Sequence, residues 1–175
     1  IFKAAVNAVQ AIQVMPQFIQ WIDEQLYIDG EKIHLNSTTK IYVIGAGKAS
    51  AAMALVIEEI LGDNIEAGII TTKYHHQLPL KIINCIQAAH PVPDEQSVLA
   101  VQQTIELLNK VQPNDIVLCL LSGGASALWT DLPDGISLNE LQNLFQLLLN
   151  CGANIHEMNC VRKHLSCIKG GQLLR

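Results

Sequence analysis

The sequence predicts an α/β domain in which a mainly parallel sheet lies between two layers of helices. From residue 40 onward, short segments rich in β-branched residues alternate with longer segments of helical periodicity. Strands separated by helices pair in parallel and place helices on both faces of the sheet. A chain of 175 residues is long enough to bury a core as one domain without disulfides or a structural metal.

The first 35 residues precede this alternation and carry a different pattern. Apolar residues at helical spacing predict two helices within residues 1–26, divided at Pro16. The second of these helices is predicted from Phe18, Ile19, Ile22 and Leu26. Asp29-Gly30 lies between two apolar segments, which is typical of a β-hairpin turn over residues 27–35.

Four strands and four helices are predicted in the remainder. The strands are expected over 40–44, 67–72, 82–88 and 116–121. The last of them is wholly apolar, as is typical of a strand buried on both faces. The helices are expected over 49–61, from the N-cap Asp94 to about Lys110, from the capping box Ser137–Glu140 to Asn150, and from the capping box Asn154–Glu157 to about Ile168. Such a three-layer αβα arrangement is Rossmann-like, and its ligands bind at the carboxyl ends of the strands.

Composition excludes several classes of protein. There are 11 Lys+Arg against 16 Asp+Glu, and the net charge of -5 argues against a general nucleic-acid or membrane-surface binder. The longest apolar run, 116–121, is far shorter than the roughly 18 residues of a membrane span. No secretory signal is predicted from these residues, and five cysteines without a CxxC motif argue against a disulfide framework or zinc ribbon. We therefore expect a cytoplasmic protein.

The two ends of the sequence suggest a part of something longer. Residue 1 is Ile rather than Met, and the chain stops at Arg175, within what resembles the start of a helix at Gln172. We expect residues 1–175 to be one domain of a longer protein.

A first glycine loop, Gly45-Ala-Gly-Lys-Ala-Ser50, follows a predicted strand and precedes a predicted helix. Gly45 and Gly47 allow close backbone approach to a ligand, the helix N-terminus offers N–H groups to an anion, and Lys48 adds a positive charge. The spacing of a Walker A loop is absent, and Ser50 replaces the third Gly of a dinucleotide loop. This loop fits three interpretations: a structural turn, a phosphate site and, less well matched, an NAD site.

A second glycine loop, Ser122-Gly-Gly-Ala-Ser126, follows the most apolar strand. Consecutive small residues can form a concave nest of N–H donors with two hydroxyls beside it. A plain tight turn is the alternative. Two such loops at one edge of a sheet favour anion binding.

Between the two loops lies His90-Pro-Val-Pro-Asp94, in which two prolines stiffen the chain and fix the position of His90. A functional and a structural role for His90 are both open.

The last predicted helix carries a polar stripe. Asn159, Arg162, Lys163 and Ser166 follow i, i+3, i+4, i+7, and Lys169 lies shortly beyond. Two cations, an amide and a hydroxyl on one stripe suit an anionic substrate, although a solvated face is the alternative. His156 and His164 share a neighbouring stripe, but HExxH fails because position 160 is Cys, so no metal site is predicted.

With these motifs identified, the chain resembles the N-terminal domain of the class II, MOFRL-type glycerate 2-kinases. Five segments match the family pattern in order: GAGKAS at 45–50, HPVPDE at 90–95, LSGGASAL at 121–128, EMNCVRKHLS at 157–166 and IKGGQL at 168–173. The resemblance covers about 40–175, and residues 1–39 fit more loosely.

The resemblance implies transfer of the γ-phosphoryl group of ATP to D-glycerate, with Mg²⁺, giving 2-phosphoglycerate. Family members combine a larger αβα domain with a smaller C-terminal MOFRL domain, and their active site lies in the cleft between the two. The family's downstream Asp-Val-x-Gly-Asp and Ser-Gly-Pro-Thr segments are absent here, so this chain is expected to be inactive alone. Its expected partners are glycerate, ATP, the second domain and, in a homodimer, another copy of the chain.

Roles are carried over by matched position. Lys48 is the candidate catalytic residue, stabilising charge on the transferred phosphoryl group or holding the substrate, and His90 is expected to orient a hydroxyl. The other candidates are expected to bind phosphates or the substrate carboxylate, through side chains or close backbone approach: Gly45, Gly47, Ser122, Gly123, Gly124, Ser126, Asn159, Arg162, Lys163 and Lys169.

Two alternatives remain. The first is an NAD(P)H-dependent hydroxypyruvate reductase, a name that relatives of this family sometimes carry. The missing third Gly and the missing acidic residue after the second strand, where the chain reads Thr71-Thr72-Lys73, count against it. The second alternative is a non-catalytic domain that binds a nucleotide or another anion.

Overall fold

The computed structural model describes residues 1–174 and centres on a four-stranded parallel sheet preceded by a small antiparallel one. The strands are β1 Ile19–Ile22, β2 Gln25–Ile28, β3 Glu31–Lys32, β4 Ile41–Ala46, β5 Ile65–Lys73, β6 Ile83–Ala88 and β7 Ile116–Leu121. The helices are α1 Phe2–Ala8, α2 Ala11–Val14, α3 Ser50–Leu61, α4 Glu95–Leu108, α5 Ala125–Leu128, α6 Leu138–Asn150 and α7 Ile155–His164.

The main sheet has the order β6-β5-β4-β7, and all of its strands run in parallel. In the register of the central strands, Ala46 of β4 lies between Thr71 of β5 and Leu121 of β7. The carboxyl ends of these three strands therefore meet at one edge. This topology confirms the predicted α/β class with a parallel sheet.

Each face of the sheet is buried by its own set of apolar residues. On one face, Val43 and Ile70 pack with Ala54 and Ile57 of α3. On the other face, Ile44 belongs to a second cluster that includes α4. Burial on both faces explains why β4 is apolar along its whole length.

The helix starts follow the predicted capping residues. Asp94, Ser137 and Asn154 each accept a hydrogen bond from a backbone N–H of the first turn, and each belongs to a complete capping box. Gly62 ends α3 with a positive φ of 50°, as predicted.

The second predicted N-terminal helix is wrong, because its residues form a β-hairpin instead. Ile19 pairs with Ile28 and Ile22 with Gln25, and the two-residue turn at Asp23 and Glu24 has positive φ at both positions. Ile19 and Leu26 are buried, whereas Ile22 is exposed. The period of two along β1 and β2 therefore decides the structure. The turn predicted at Asp29-Gly30 is confirmed by the pairing of β2 with β3.

The wholly apolar strand β7 forms an edge of the sheet beside β4, and near its end it is buried on one face only, through Leu118 and Leu120. Cys119 is exposed, and 57% of Leu121 is accessible to solvent.

The last helix ends at His164 rather than near Ile168. Asp131 accepts hydrogen bonds from the Ser166 hydroxyl, at 2.7 Å, and from the N–H of Cys167. These contacts draw the chain out of the helix, so Ser166 does not belong to the polar stripe of α7. Within residues 1–174, no helix has the length and apolar character needed to cross a membrane.

Candidate active site

The two glycine loops lie against each other at the carboxyl edge of the sheet. The N–H of Lys48 donates to the carbonyl of Gly123 at 2.9 Å, and the N–H of Ala49 donates to Ser122 Oγ at 3.0 Å. The N–H of Ser122 in turn donates to the carbonyl of Ala46 at 3.1 Å. The structure thus brings together two loops that are distant in sequence.

Gly45 and Gly47 make this contact sterically possible. A Cβ on Gly45 would lie 2.5 Å from the carbonyl oxygen of Leu120, and one on Gly47 would lie 2.0 Å from Ser122 Oγ. Gly47 also has a φ of +138°, a backbone angle that residues with a side chain rarely adopt. Both glycines are buried, and their lack of a side chain lets β4 and its loop approach β7 closely. Their predicted approach to a ligand stays a prediction.

The first N–H groups near the start of α3 are used within the protein. The N–H of Gly47 donates to the carbonyl of Thr71, and that of Ser50 donates to the carbonyl of Gly47. Those of Lys48 and Ala49 donate to the second glycine loop. These four N–H groups are therefore not available to an anion, whereas the predicted role of the rest of the first turn of α3 in anion binding stays a prediction.

Lys48 and His90 converge over Gly124. The Cβ position of Gly124 is 3.1 Å from His90 Nε2 and 3.4 Å from Lys48 Cε, and its φ is +94°. Within residues 1–174, no hydrogen bond uses the N–H of Gly123 or Gly124. We call Lys48, His90 and Ser122–Gly124 the loop cluster. It contains the predicted catalytic lysine, the predicted histidine and two available backbone donors.

The charge state of His90 depends on its surroundings. Burial, followed by the positive charges of Lys48 and Lys73, lowers the pKa of His90 below its ordinary value. The imidazole is therefore uncharged at neutral pH and can donate or accept a hydrogen bond.

The loop that carries His90 is held by Asp94. This carboxylate accepts hydrogen bonds from the Tyr74 hydroxyl at 2.6 Å and from the N–H of Ala89 at 3.2 Å, while it caps α4. The pKa of Asp94 is lowered: burial opposes ionisation, but the hydrogen bonds from Tyr74, Ala89 and Ser97 together outweigh it. The chain on either side of His90 is therefore fixed to the ends of β5 and α4.

The remaining polar candidates line a cavity of about 570 Å³ beside β7, which we call the basic cavity. Its apolar lining comes from β7, Trp129, Ile168 and Leu173. Its polar lining includes five of the predicted residues: Ser126, Asn159, Arg162, Lys163 and Lys169. The predicted site residues thus form two groups, and their roles as ligand contacts stay predictions.

Two cations of the basic cavity also have partners within the fold. Lys169 Nζ donates to the carbonyl of Trp129 at 2.6 Å and lies 3.6 Å from Asp131 Oδ1. Burial lowers the pKa of Lys169, although Asp131 opposes that shift. The guanidinium of Arg162 lies 4.7 Å from the centre of the Phe145 ring, and burial lowers its pKa. Lys163 is exposed.

Sequence patterns did not single out Asp131 or Lys73. Asp131 contacts a segment 35 residues away, at Ser166, and no local spacing signals such a contact. Lys73 ends β5, immediately beside the strand that leads to Lys48. Its place at the carboxyl end of a central strand is the signal that could have identified it.

The described residues offer few side chains that could coordinate a metal ion. Between residues 1 and 174, no three His, Cys, Asp or Glu side chains converge to hold one, and the loop cluster contains no carboxylate. These residues do not by themselves fit a Mg²⁺ site.

The whole chain, residues 1–175, matches the family model described as Domain of unknown function (DUF4147). A Pyrococcus horikoshii protein named Glycerate 2-kinase is 41% identical over 171 residues, covering 98% of this chain and 38% of the relative. A crystal structure of a P. horikoshii protein matches with a TM-score of 0.90 at 40% identity, covering 99% of this chain and 39% of that one. An Agrobacterium vitis protein named Putative hydroxypyruvate reductase is 44% identical over 133 residues, covering 76% of this chain and 30% of the relative.

The chain therefore spans well under half the length of the proteins it matches. The structural match supports the parallel sheet and the arrangement of helices around it.

Proposed function

The chain belongs to the DUF4147 family, and from this premise we propose that it is the N-terminal αβα domain of an ATP-dependent glycerate 2-kinase. The observation that carries the proposal is the 41% identity to a protein named Glycerate 2-kinase over 98% of this chain. The proposed reaction transfers the γ-phosphoryl group of ATP to a hydroxyl of D-glycerate and gives 2-phosphoglycerate and ADP. Because the chain spans 38% of that relative, the activity is proposed for a longer protein.

The loop cluster suits phosphoryl transfer. This reaction depends on positioning and charge neutralisation more than on covalent catalysis by the protein. The exposed Lys48 would neutralise charge on the transferred phosphoryl group, and the N–H groups of Gly123 and Gly124 would donate to its oxygens. The uncharged imidazole of His90 would hydrogen-bond the attacking hydroxyl of glycerate.

The basic cavity would hold the rest of the substrates. Lys163 and Asn159 line it and are polar groups suited to a carboxylate or to the other phosphates of ATP. Mg²⁺ belongs to the proposal as the usual counter-ion of ATP. We assign no step to it, because the residues described do not form a metal site of their own.

A hydroxypyruvate reductase is the second candidate, because the A. vitis relative carries that name. A dinucleotide loop needs backbone N–H groups at the helix N-terminus that can bind a pyrophosphate. Here the N–H groups of Gly47, Lys48 and Ala49 are used within the protein. The side chain of Ser50 is buried where the third glycine would stand. These contacts favour the kinase.

The test uses the complete gene product, supplied in parallel with D-glycerate plus Mg-ATP and with hydroxypyruvate plus NADH or NADPH. ADP release that depends on glycerate would support the kinase. Oxidation of the reduced cofactor without ADP release would support the reductase and overturn the assigned role of Lys48. Nucleotide binding without either turnover would favour the third reading, a non-catalytic binding domain.

A further inference from the structure

Lys73 lies at the same edge of the sheet as the loop cluster. It is the last residue of β5, which lies between β4 and β6. Its register partner in β6 is Ala88, two residues before His90. Three adjacent strands therefore lead at their carboxyl ends to Lys48, Lys73 and His90.

Strand alternation places Lys73 on the side of the sheet that carries Gly124. Thr71 and Lys73 are two residues apart in β5, so their side chains leave the same face. On that face, the indole N–H of Trp129 donates to Thr71 Oγ1 at 3.0 Å. Trp129 directly follows α5, whose N-cap is Gly124. The positive charge of Lys73 also acts on His90, as does that of Lys48.

Neither lysine has a carboxylate partner in the part of the chain that the structure describes. The two salt bridges found between residues 1 and 174 involve Lys40 and Lys169. The carboxylate of Asp94, in the segment that carries His90, already accepts hydrogen bonds from Tyr74 and Ala89, and that of Asp131 pairs with Lys169. Two positive charges thus act on one imidazole at this edge of the sheet, and because like charges repel each other, an anion bound between them would be stabilised.

We propose that Lys73 is a second anion-binding residue of the loop cluster and holds an oxyanion jointly with Lys48 and the N–H groups of Gly123 and Gly124. The inference rests on the proposed function, which supplies two sources of such a group: a phosphate of ATP and the carboxylate of glycerate. Two ammonium groups beside a neutral histidine match a doubly charged phosphate or a carboxylate more closely than a neutral ligand.

The experiment replaces Lys73 in the complete gene product and measures both anion binding and turnover. The variants are Lys73→Gln, Lys73→Met as a second neutral replacement that keeps the length of the stem, and Lys73→Arg, which keeps the charge. Lys110→Gln is the matched control, because Lys110 is an exposed lysine beyond the end of α4. Thermal melting selects the variants that are folded.

Titration with inorganic phosphate measures the site without turnover. We expect the two neutral variants to bind phosphate about tenfold more weakly, because each loses one charge-assisted hydrogen bond. Lys73→Arg and Lys110→Gln should bind phosphate as the unmodified protein does. Measuring KM for ATP and KM for glycerate in the same variants then shows which substrate supplies the oxyanion. We expect KM to rise about tenfold for the substrate that Lys73 binds.

The outcomes separate this inference from the proposed function. Phosphate binding that depends on Lys73 in a protein without glycerate kinase activity would leave the anion site standing and overturn the kinase. An active kinase in which folded Lys73→Gln and Lys73→Met keep both KM values and the phosphate affinity would overturn the inference alone. Absence of phosphate binding by the unmodified protein, with normal KM values in the variants, would also overturn it.

Discussion

The loop cluster and the basic cavity lie at the same end of the sheet but use their cations differently. In the cluster, Lys48 is exposed and carries no ion pair within the described chain. In the cavity, Lys169 donates to Trp129 and pairs with Asp131, and Arg162 packs on Phe145. Lys163 of the cavity is exposed like Lys48 and has no ion pair among the described residues. The partners of a cation, rather than the group it belongs to, therefore distinguish a side chain available to a ligand from one engaged in the fold.

The sharpest test of this contrast is Lys48→Ala in the complete gene product. We expect kcat/KM for the kinase reaction to fall about 10²–10³-fold, because the variant removes charge stabilisation of the transferred group. The melting temperature should stay close to that of the unmodified protein, since the side chain is exposed. Lys110→Ala is the control for loss of a surface charge. Full activity in folded Lys48→Ala would remove the catalytic role of this lysine.

The close contact between the two glycine loops, which positions Lys48, is tested by Gly47→Ala. Its Cβ would lie 2.0 Å from Ser122 Oγ at a φ of +138°, so we expect the free energy of unfolding to fall by about 3 kcal/mol. Gly152→Ala is the matched control, because Gly152 also has a positive φ, +77°, but open space around its Cβ position. Chemical denaturation should give a loss of about 1 kcal/mol there. Equal losses in the two variants would show that crowding against Ser122 contributes nothing.

The cavity side is tested by Asp131→Asn. This change weakens the contacts to Lys169, Ser166 and Cys167 and leaves a mostly buried ammonium group without its carboxylate. We expect a loss of about 2 kcal/mol in the free energy of unfolding, measured by denaturation in urea. Asp134→Asn, at an exposed position of the same loop, should be nearly neutral. If Asp131→Asn were as stable as Asp134→Asn, the contacts of Asp131 would not stabilise the wall of the basic cavity.

The smallest expected effect concerns pH. The folded protein lowers the pKa of His90, so below the ordinary value of about 6.5 the unfolded chain binds the proton more readily. The contribution of His90 to stability is therefore retained above that pH. It decreases as the pH falls from there through the pKa of the folded state. Unfolding measured at pH 7.5 and pH 5.5 should show a smaller difference in His90→Gln than in the unmodified protein.

A charge-removing variant provides a second test of the same effect. Lys73→Gln removes a positive charge that acts on the imidazole, so the pKa of His90, followed by NMR, should rise. An unchanged pKa would place Lys73 too far from His90 to share a ligand with it.

Much of the fold could be predicted from the sequence because its signals are local. Capping boxes at Asp94, Ser137 and Asn154 mark helix starts through contacts within one turn. The hairpin of β1 and β2 was not predicted, because its apolar residues fit periods of both 3.6 and 2. Burial of Ile19 and Leu26 against the main core decides between these periods, and that contact is not local.

The candidate site divides in the same way. The meeting of the two glycine loops could be predicted, since they follow neighbouring parallel strands. The use of their N–H groups could not, because Lys48 donates to Gly123, far along the chain. The partners of Lys169 were hidden for the same reason, since Asp131 and Trp129 come from a different segment.

The contact between the glycine loops also has a kinetic consequence. The hydrogen bond from Ala49 to Ser122 spans 73 residues, and the parallel pairing of β4 with β7 must form before the loops can meet. Closing a loop of this length costs chain entropy, so a chain in which β4 and β7 have not yet paired lacks the loop cluster. A ligand held there would bind only molecules with a finished sheet and would raise their stability by mass action. Ligand binding at the loop cluster would then report that the sheet is complete and would slow the loss of the native state.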